Sequence, residues 1–199
     1  MTKTFLIIIV CLVQLQLTGQ EVKKKSSLLQ HFSSQVAAGI TEGQYGTSFQ
    51  IHSINGFRVN QWYGGLGTGI DEYYFRSVPV YFSVARYLSS SSNSFFVQGD
   101  GGMNFVWEKN NIRPAWNEIG SEFKPGLYWN GSFGFSTALG KRQANNLLFS
   151  LGYAYKYIKQ KTETQVFCIN PPCEPLEQDY SYHLRRIAFK IGWQFNNSH

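Results

Sequence analysis

The chain has 199 residues, enough for one domain whose core is stable without a metal ion or a dense disulfide framework. Aromatic residues make up 17% of the sequence and charged residues only 15%, which excludes an intrinsically disordered chain and is unusual for a soluble domain. The formal net charge of +6 is not gathered into a basic face, so nucleic acid is not an expected partner.

Residues 1–20 have the layout of a secretory signal peptide. Lys3 precedes an apolar run from Phe5 to Val13, and polar and small residues follow up to Gln20. The run is too short to span a bilayer as a helix, so we predict cleavage near Gly19 or Gln20. The mature chain would then begin with a periplasmic tail, residues 21–31.

Two cysteines remain after the predicted signal peptide, Cys168 and Cys173 in the segment CINPPC. An even number of cysteines in an exported chain predicts one local disulfide between them. A zinc site would need further ligands, and His183 is the one candidate nearby, so the sequence predicts neither a metal ion nor a cofactor.

Eight segments of the mature chain alternate between apolar and polar residues, which is the period of a β-strand. In chain order the predicted strands lie near residues 32–41, 46–57, 61–71, 78–85, 95–105, 127–136, 147–157 and 186–195. The last strand shows the pattern best, because Ile187, Phe189, Ile191, Trp193 and Phe195 alternate with polar or small residues. One face of that strand is therefore apolar along its whole length.

Side-chain volume predicts which face of the sheet points outward. The interior of an eight-stranded barrel is barely wide enough for side chains, and the apolar residues of the alternating pattern are too bulky to fit inside. We therefore predict an all-β fold, an eight-stranded antiparallel up-and-down transmembrane β-barrel over residues 32–195, with a short C-terminal tail at 196–199. Aromatic residues at strand ends are expected in interfacial girdles, namely Trp62, Tyr73, Tyr74, Trp107, Trp129, Tyr157 and Trp193.

The predicted connections differ in length. The two long ones, residues 107–123 and 158–180, follow the fifth and seventh strands and so lie at the same end of the barrel. Short periplasmic turns and longer extracellular loops are typical of outer-membrane barrels, so any partner is expected to bind through these two loops.

Charged residues in the polar phase are expected inside the barrel. They are Asp71, Asp100, Lys156, Arg186 and Lys190. Because buried charges must be paired, we expect them to form a polar network that closes the lumen, with Asp100 paired to Arg186 or Lys190.

The segment WYGGLGTGID contains Gly65, Gly67 and Gly69 at alternate positions. A nucleotide-binding loop would require a helix directly after the glycines, and the sequence that follows has no helical pattern. These glycines are predicted to face the lumen, where they make room for longer side chains from neighbouring strands.

Several segments, among them the GLGTGID strand followed by PVY, KPGLYWNGSFGFS and RRIAFKIGWQF, resemble strands of the small outer-membrane β-barrel proteins typical of Bacteroidetes-type bacteria. The resemblance runs from about residue 33 to residue 195. It implies export by a signal peptide and insertion by the outer-membrane assembly machinery, with Phe195 as the terminal aromatic residue of the assembly signal. It implies no settled activity.

The sequence favours a structural or surface-interaction role in the outer membrane of a Gram-negative cell, among outer-membrane lipids and with an unknown extracellular ligand. The alternative is a membrane-embedded lipid-modifying enzyme of the lipid A deacylase or acyltransferase type, because His31 and Ser33 have the spacing of a deacylase-like pair. No orienting acid is evident, and no catalytic residue is assigned. A soluble lipocalin-like carrier is disfavoured by the bulky apolar phase.

Overall fold

A computed structural model describes residues 31–91, 93–107, 118–140, 145–164 and 176–196 of the chain. Within these ranges nearly all residues lie in antiparallel strands. The strands are β1 (Phe32–Gly43), β2 (Gly46–Val59), β3 (Trp62–Asp71), β4 (Ser77–Tyr87), β5 (Ser94–Val106), β6 (Glu118–Lys124), β7 (Gly126–Leu139), β8 (Asn145–Thr164) and β9 (Leu176–Asn196). The predicted all-β fold is therefore confirmed.

The strands close into a ring with eight positions. β1 pairs with β2 on one side and with β9 on the other, from Ser33 opposite Asn196 to Gly43 opposite Arg186. β6 and β7 occupy one position, because both pair with β8 and only Pro125 separates them. Proline has no N–H to donate to a sheet, which explains the interruption and the one-residue change of register at this point.

The faces of the sheet have the predicted orientation. Outward side chains are apolar and exposed, as in Phe82, which is 70% exposed, whereas inward side chains such as Tyr128 are fully buried. A barrel with this exterior is stable in lipid, and its closed ring leaves no unpaired strand edge between its two rims. No helix among the described residues has the length and hydropathy needed to cross a bilayer.

Strands β8 and β9 are longer than predicted. The ranges 158–164 and 176–180, expected to be loop, are strand, and so are residues 118–123 of the other expected loop. After residue 157 the outward-facing residues of β8 are lysines and a glutamate instead of apolar residues. The alternation of inward and outward side chains continues, since Ile158, Gln160 and Thr162 still face inward. Backbone pairing between β8 and β9 therefore continues after the apolar surface has ended.

Candidate functional site

Large side chains fill the inside of the barrel. Tyr63, Tyr81, Tyr87, Phe96 and Tyr128 all point inward, and none is more than 2% exposed. The rings of Tyr81 and Tyr128 have centroids 5.3 Å apart, and those of Tyr87 and Phe96 are 5.5 Å apart, distances at which aromatic pairs stabilise a core. The interior between the two rims is thus a packed core and not an open channel.

His52 belongs to this core. Its Nδ1 lies 2.9 Å from the Tyr81 hydroxyl and its Nε2 lies 3.1 Å from Oε1 of Gln50. Both ring nitrogens therefore have partners within the barrel, and the histidine has the contacts of a structural lumen residue.

Asp71 is the centre of a buried charge cluster at the rim where β3 ends. Its carboxylate pairs with Arg186 and lies 3.5 Å from the Lys156 ammonium, and it accepts a hydrogen bond of 2.9 Å from the Tyr73 amide. The three charged side chains are fully buried. Two cations share one carboxylate here, so Asp71 carries most of the charge compensation at this rim.

Asp100 has a different environment from the one predicted. It accepts hydrogen bonds from Ser83 at 2.6 Å, Gln98 at 2.9 Å and Asn130 at 2.8 Å, and among the described residues it forms no ion pair. The predicted ion pair of Asp100 with Arg186 or Lys190 is therefore wrong, because neither cation lies within ion-pair distance of its carboxylate. Arg186 lies at the rim opposite Gly43, within reach of Asp71, whereas Asp100 lies in the middle of β5 among neutral donors.

Lys190 is buried beside a small cavity. The cavity has a volume of about 20 Å³ and is also lined by Gln35, Gln98 and Ser150. This volume and lining suit one water molecule. The absent side chain of Gly39 leaves room for the aliphatic part of Lys190, whose Cγ would lie 2.7 Å from a Cβ at that position.

The connection between β3 and β4 folds over the mouth of the barrel. Lys156 donates hydrogen bonds to the carbonyl oxygens of Tyr73, at 2.8 Å, and Phe75, at 3.0 Å. Tyr73 is 1% exposed, so its predicted place in an interfacial girdle is wrong: the ring packs in an aromatic cluster with Phe75, Ile158 and Leu184. The same lysine that neutralises part of Asp71 thus holds this connection over the lumen.

Three strands continue beyond this rim and form what we call the projecting sheet: β6, residues 158–164 of β8 and residues 176–184 of β9. β1 ends at Gly43, opposite Arg186, so the upper part of β9 pairs only with β8. The inner face of the projecting sheet carries Phe123 and Tyr182, which pack on the aromatic cluster below. The sheet is therefore anchored to the closed mouth.

The outer face of the projecting sheet is charged. Lys159 lies 2.8 Å from Asp179, and Lys161 lies 2.9 Å from Glu177. The hydrogen bond from Lys159 holds the pKa of the Asp179 carboxyl below its usual value. These cross-strand pairs replace the apolar contacts that the lower parts of β8 and β9 make with lipid-facing neighbours.

The remaining predicted site residues fall in different places. Ser33 faces the interior, where it donates to Asn196 and accepts from Gln194, both at 2.9 Å, so its hydroxyl is engaged away from the lipid face. Phe195 is exposed at the end of β9. Cys168 and Cys173 lie outside the described residues. Within the described ranges no three His, Cys, Asp or Glu side chains are placed to hold a metal ion.

The sequence pattern does not identify the large interior tyrosines as core residues. The strand alternation already places Tyr63, Tyr81 and Tyr128 on the inward phase, but the abundance of small residues there suggested a lumen filled mainly by polar groups. A signal for two of the interior rings is present in the sequence, because the inward glycines Gly67 and Gly134 lie against Tyr81 and Phe96.

Comparisons with known proteins bear on the fold. No protein-family model matches the sequence, and no curated protein matches it either. The structure is similar to the crystal structure of Neisserial surface protein A (NspA), with 11% sequence identity, a TM-score of 0.51 and coverage of 83% of this chain and 96% of that chain. It is also similar to outer membrane protein OprG from Pseudomonas aeruginosa, with 9% identity, a TM-score of 0.55 and coverage of 84% and 96%. The chain therefore has the fold of the small outer-membrane β-barrel proteins of Gram-negative bacteria.

Proposed function

We propose that the protein resides in the outer membrane of a Gram-negative bacterium as a non-enzymatic barrel with a structural or surface-interaction role. The apolar exterior supports insertion among lipids, and the packed interior supports a closed lumen. The observation that carries the interaction role is the projecting sheet, which holds three paired strands beyond the rim. The paired strands of this sheet hold the ends of the two connections that leave it, an arrangement suited to partner binding.

Several finer features belong to the same proposal. A signal peptide at residues 1–20 directs export, a disulfide between Cys168 and Cys173 stiffens the connection after β8, and Phe195 serves in recognition by the outer-membrane assembly machinery. An origin in Bacteroidetes-type bacteria is supported by the strand segments that resemble barrels of that group.

Cysteine labelling on intact cells tests the location and the orientation together. In a background with Cys168→Ser and Cys173→Ser, we would place one cysteine on the projecting sheet by Ser181→Cys and one in the opposite turn by Ser91→Cys; both serines are exposed. A membrane-impermeant maleimide should label the first variant in intact cells and the second only after the outer membrane is permeabilised. Labelling of both variants, or recovery of the protein in the soluble fraction without detergent, would contradict the proposal.

The enzymatic alternative requires a separate measurement. Cells that overproduce the protein should have lipid A of unchanged mass relative to cells that carry an empty vector. A loss or gain of an acyl chain that depends on His31 or Ser33 would show a lipid-modifying activity and overturn the non-enzymatic role. Since the hydroxyl of Ser33 is engaged inside the barrel, no such change is expected.

A further inference from the structure

On three neighbouring strand positions, the outward-facing residues change from apolar to cationic toward the projecting sheet. The outward apolar runs cover residues 187–195 on β9, 127–135 on β7 and 147–157 on β8, and the next outward cations toward the projecting sheet are Arg185, Lys124 and Lys159. A tilted strand needs about 9–11 residues to cross the hydrocarbon layer. The three cations therefore lie where the hydrocarbon ends and the lipid headgroups begin.

Aromatic side chains mark the same boundary. Trp129 is 40% exposed and packs against Tyr153 and Tyr155, with ring centroids 5.5 Å and 6.0 Å away. Tryptophan and tyrosine on the lipid face of a barrel are enriched at the membrane interface. The ring of His183 lies 5.1 Å from that of Tyr157, and its Nδ1 is 2.8 Å from the Tyr155 hydroxyl, so the histidine belongs to this boundary as well.

Two of these three cations have no ion-pair partner among the described side chains. Lys124 is directly opposite Lys159 in the pairing of β6 with β8, an arrangement that destabilises a sheet when nothing compensates it. Lys159 has Asp179 as a partner, but among the described side chains no acid pairs with Lys124 or Arg185. The acid nearest in register to Arg185 on β1, Glu42, accepts a hydrogen bond from Thr47.

We propose that Lys124, Lys159 and Arg185, with His183 beside them, form a cationic band that binds the phosphate groups of an anionic lipid in the outer leaflet. A phosphate offers oxygens that both the fork of an arginine and the ammonium of a lysine bind well. A phosphate between Lys124 and Lys159 would also relieve their repulsion. The ligand is a lipid headgroup rather than a soluble anion because the band continues the lipid-facing surface and faces sideways, away from the barrel axis.

Fluorescence quenching of a single tryptophan can measure which lipid lies beside the band. Trp62, Trp107, Trp116 and Trp193 would be changed to Phe, leaving Trp129, and the protein refolded into phosphatidylcholine vesicles. A minor fraction of the lipid would carry brominated acyl chains, either as phosphatidylglycerol or as phosphatidylcholine. Because bromine quenches only at contact, the ratio of the two quenching efficiencies reports the local enrichment of the anionic lipid.

The brominated phosphatidylglycerol should bind beside Trp129 on the order of fivefold more tightly than the brominated phosphatidylcholine. The preference should disappear in the double variant Lys124→Gln/Arg185→Gln. It should persist in Lys161→Gln, a matched control because Lys161 lies higher on the same face and pairs with Glu177. A second protein that retains only Trp193, near the opposite end of β9, should show no preference.

The inference rests on the proposed location in a membrane, but the quenching experiment distinguishes a barrel that does not insert from a barrel that lacks the lipid site. A barrel that does not insert shows no quenching by either lipid, whereas a barrel without the site is quenched equally by both. Equal quenching in the parent, or a preference that survives in the double variant, would overturn the band as a lipid site. Binding of heparin to the detergent-refolded protein through the same residues, with equal lipid quenching, would assign the band to a soluble acidic partner.

Should the single-tryptophan proteins fail to refold, native mass spectrometry of the parent chain provides the same comparison. Detergent-refolded protein would be mixed with equal amounts of phosphatidylglycerol and phosphatidylcholine. Retention of phosphatidylglycerol in the parent and in Lys161→Gln, and its loss in the double variant, is the expected result. Equal retention in all three proteins would contradict the proposal.

Discussion

At the residue scale, the inward glycines and the interior tyrosines depend on one another. A Cβ on Gly67 would clash with the ring of Tyr81, and one on Gly43 would clash with the hydroxyl of Tyr73. In a narrow barrel, a glycine beside a large ring leaves the space that the ring occupies. Gly67 of β3 is therefore a packing residue whose size is set by Tyr81 of β4, whereas a Cβ on Gly65 or Gly69 would meet residues of β2.

Replacing Gly67 by alanine should destabilise the barrel. The added methyl group must displace the buried Tyr81 ring, and overpacking of this kind costs about 1–3 kcal/mol. Gly64→Ala, on the same strand, is the matched control, because a Cβ there meets no atom within 4 Å. Urea unfolding of the micelle-refolded proteins should show a lower free energy of unfolding for Gly67→Ala alone. Equal values for the two variants would contradict the packing argument, and Tyr81→Leu should reduce the cost of Gly67→Ala.

The rim cluster makes a second prediction. Asp71→Asn leaves Arg186 and Lys156 buried without their carboxylate, and breaking a buried pair in this way costs about 3–5 kcal/mol. Asp100→Asn loses hydrogen bonds from neutral donors only, at a cost of about 1–3 kcal/mol. The temperature at which the folded band disappears on a semi-native gel should therefore fall further for Asp71→Asn. The reverse order would show that Asp100 is the main compensating charge.

At the element scale, β8 and β9 each combine two different segments. Below Arg186 each strand has neighbours on both sides, whereas above it β9 pairs only with β8 and the outward residues are charged. Closure of the ring depends on the lower segments alone. The upper segments are held by backbone pairing, by the Lys159–Asp179 and Lys161–Glu177 ion pairs, and by the aromatic cluster beneath them.

The barrel should therefore fold without most of the projecting sheet. Ile158 is opposite Tyr182, so residues 159–181 can be replaced by Asn-Gly, the dipeptide favoured in two-residue hairpins. The shortened protein should still migrate as a heat-modifiable band, with an unfolding midpoint close to that of the parent. As a control, joining Gly152 to Ala188 in the same way removes strand pairs within the membrane span and should abolish insertion. Failure of the first variant to insert would show that the projecting sheet is needed for folding.

The alternation of residues such as Phe189 and Ile191 with polar neighbours was sufficient to predict all eight strand positions, because lipid enforces the apolar phase. It could not locate the upper ends of β8 and β9, since in water both faces of a strand tolerate polar residues and the signal disappears. It also could not pair Asp71 with Arg186, because that contact depends on strand register across the closed ring and not on spacing within one strand. The alternation predicts that the interior rings face inward, but it does not predict how they pack against one another.

At the scale of the whole molecule, the barrel has a lipid-compatible exterior, a packed interior and one closed mouth. The rings of Tyr63, Tyr81, Tyr87 and Tyr128 fill the space that a channel would need, and the connection held by Lys156 covers the outer rim. The interior cavity beside Lys190 has room for about one water molecule. Any contact with the cell exterior would therefore be made by surfaces and not by transport through the lumen.

Liposome swelling tests this closed lumen. Vesicles that contain the refolded barrel should take up arabinose no faster than protein-free vesicles, because buried tyrosine rings fill the cross-section and cannot all leave together without unfolding the core. A sixteen-stranded porin, which has an aqueous channel, provides the positive control. Lys156→Met frees the β3–β4 connection but leaves the rings in place, so it should remain impermeable. Swelling by the parent protein would show an open pathway, and swelling by Lys156→Met alone would show that the connection, and not the aromatic core, closes the barrel.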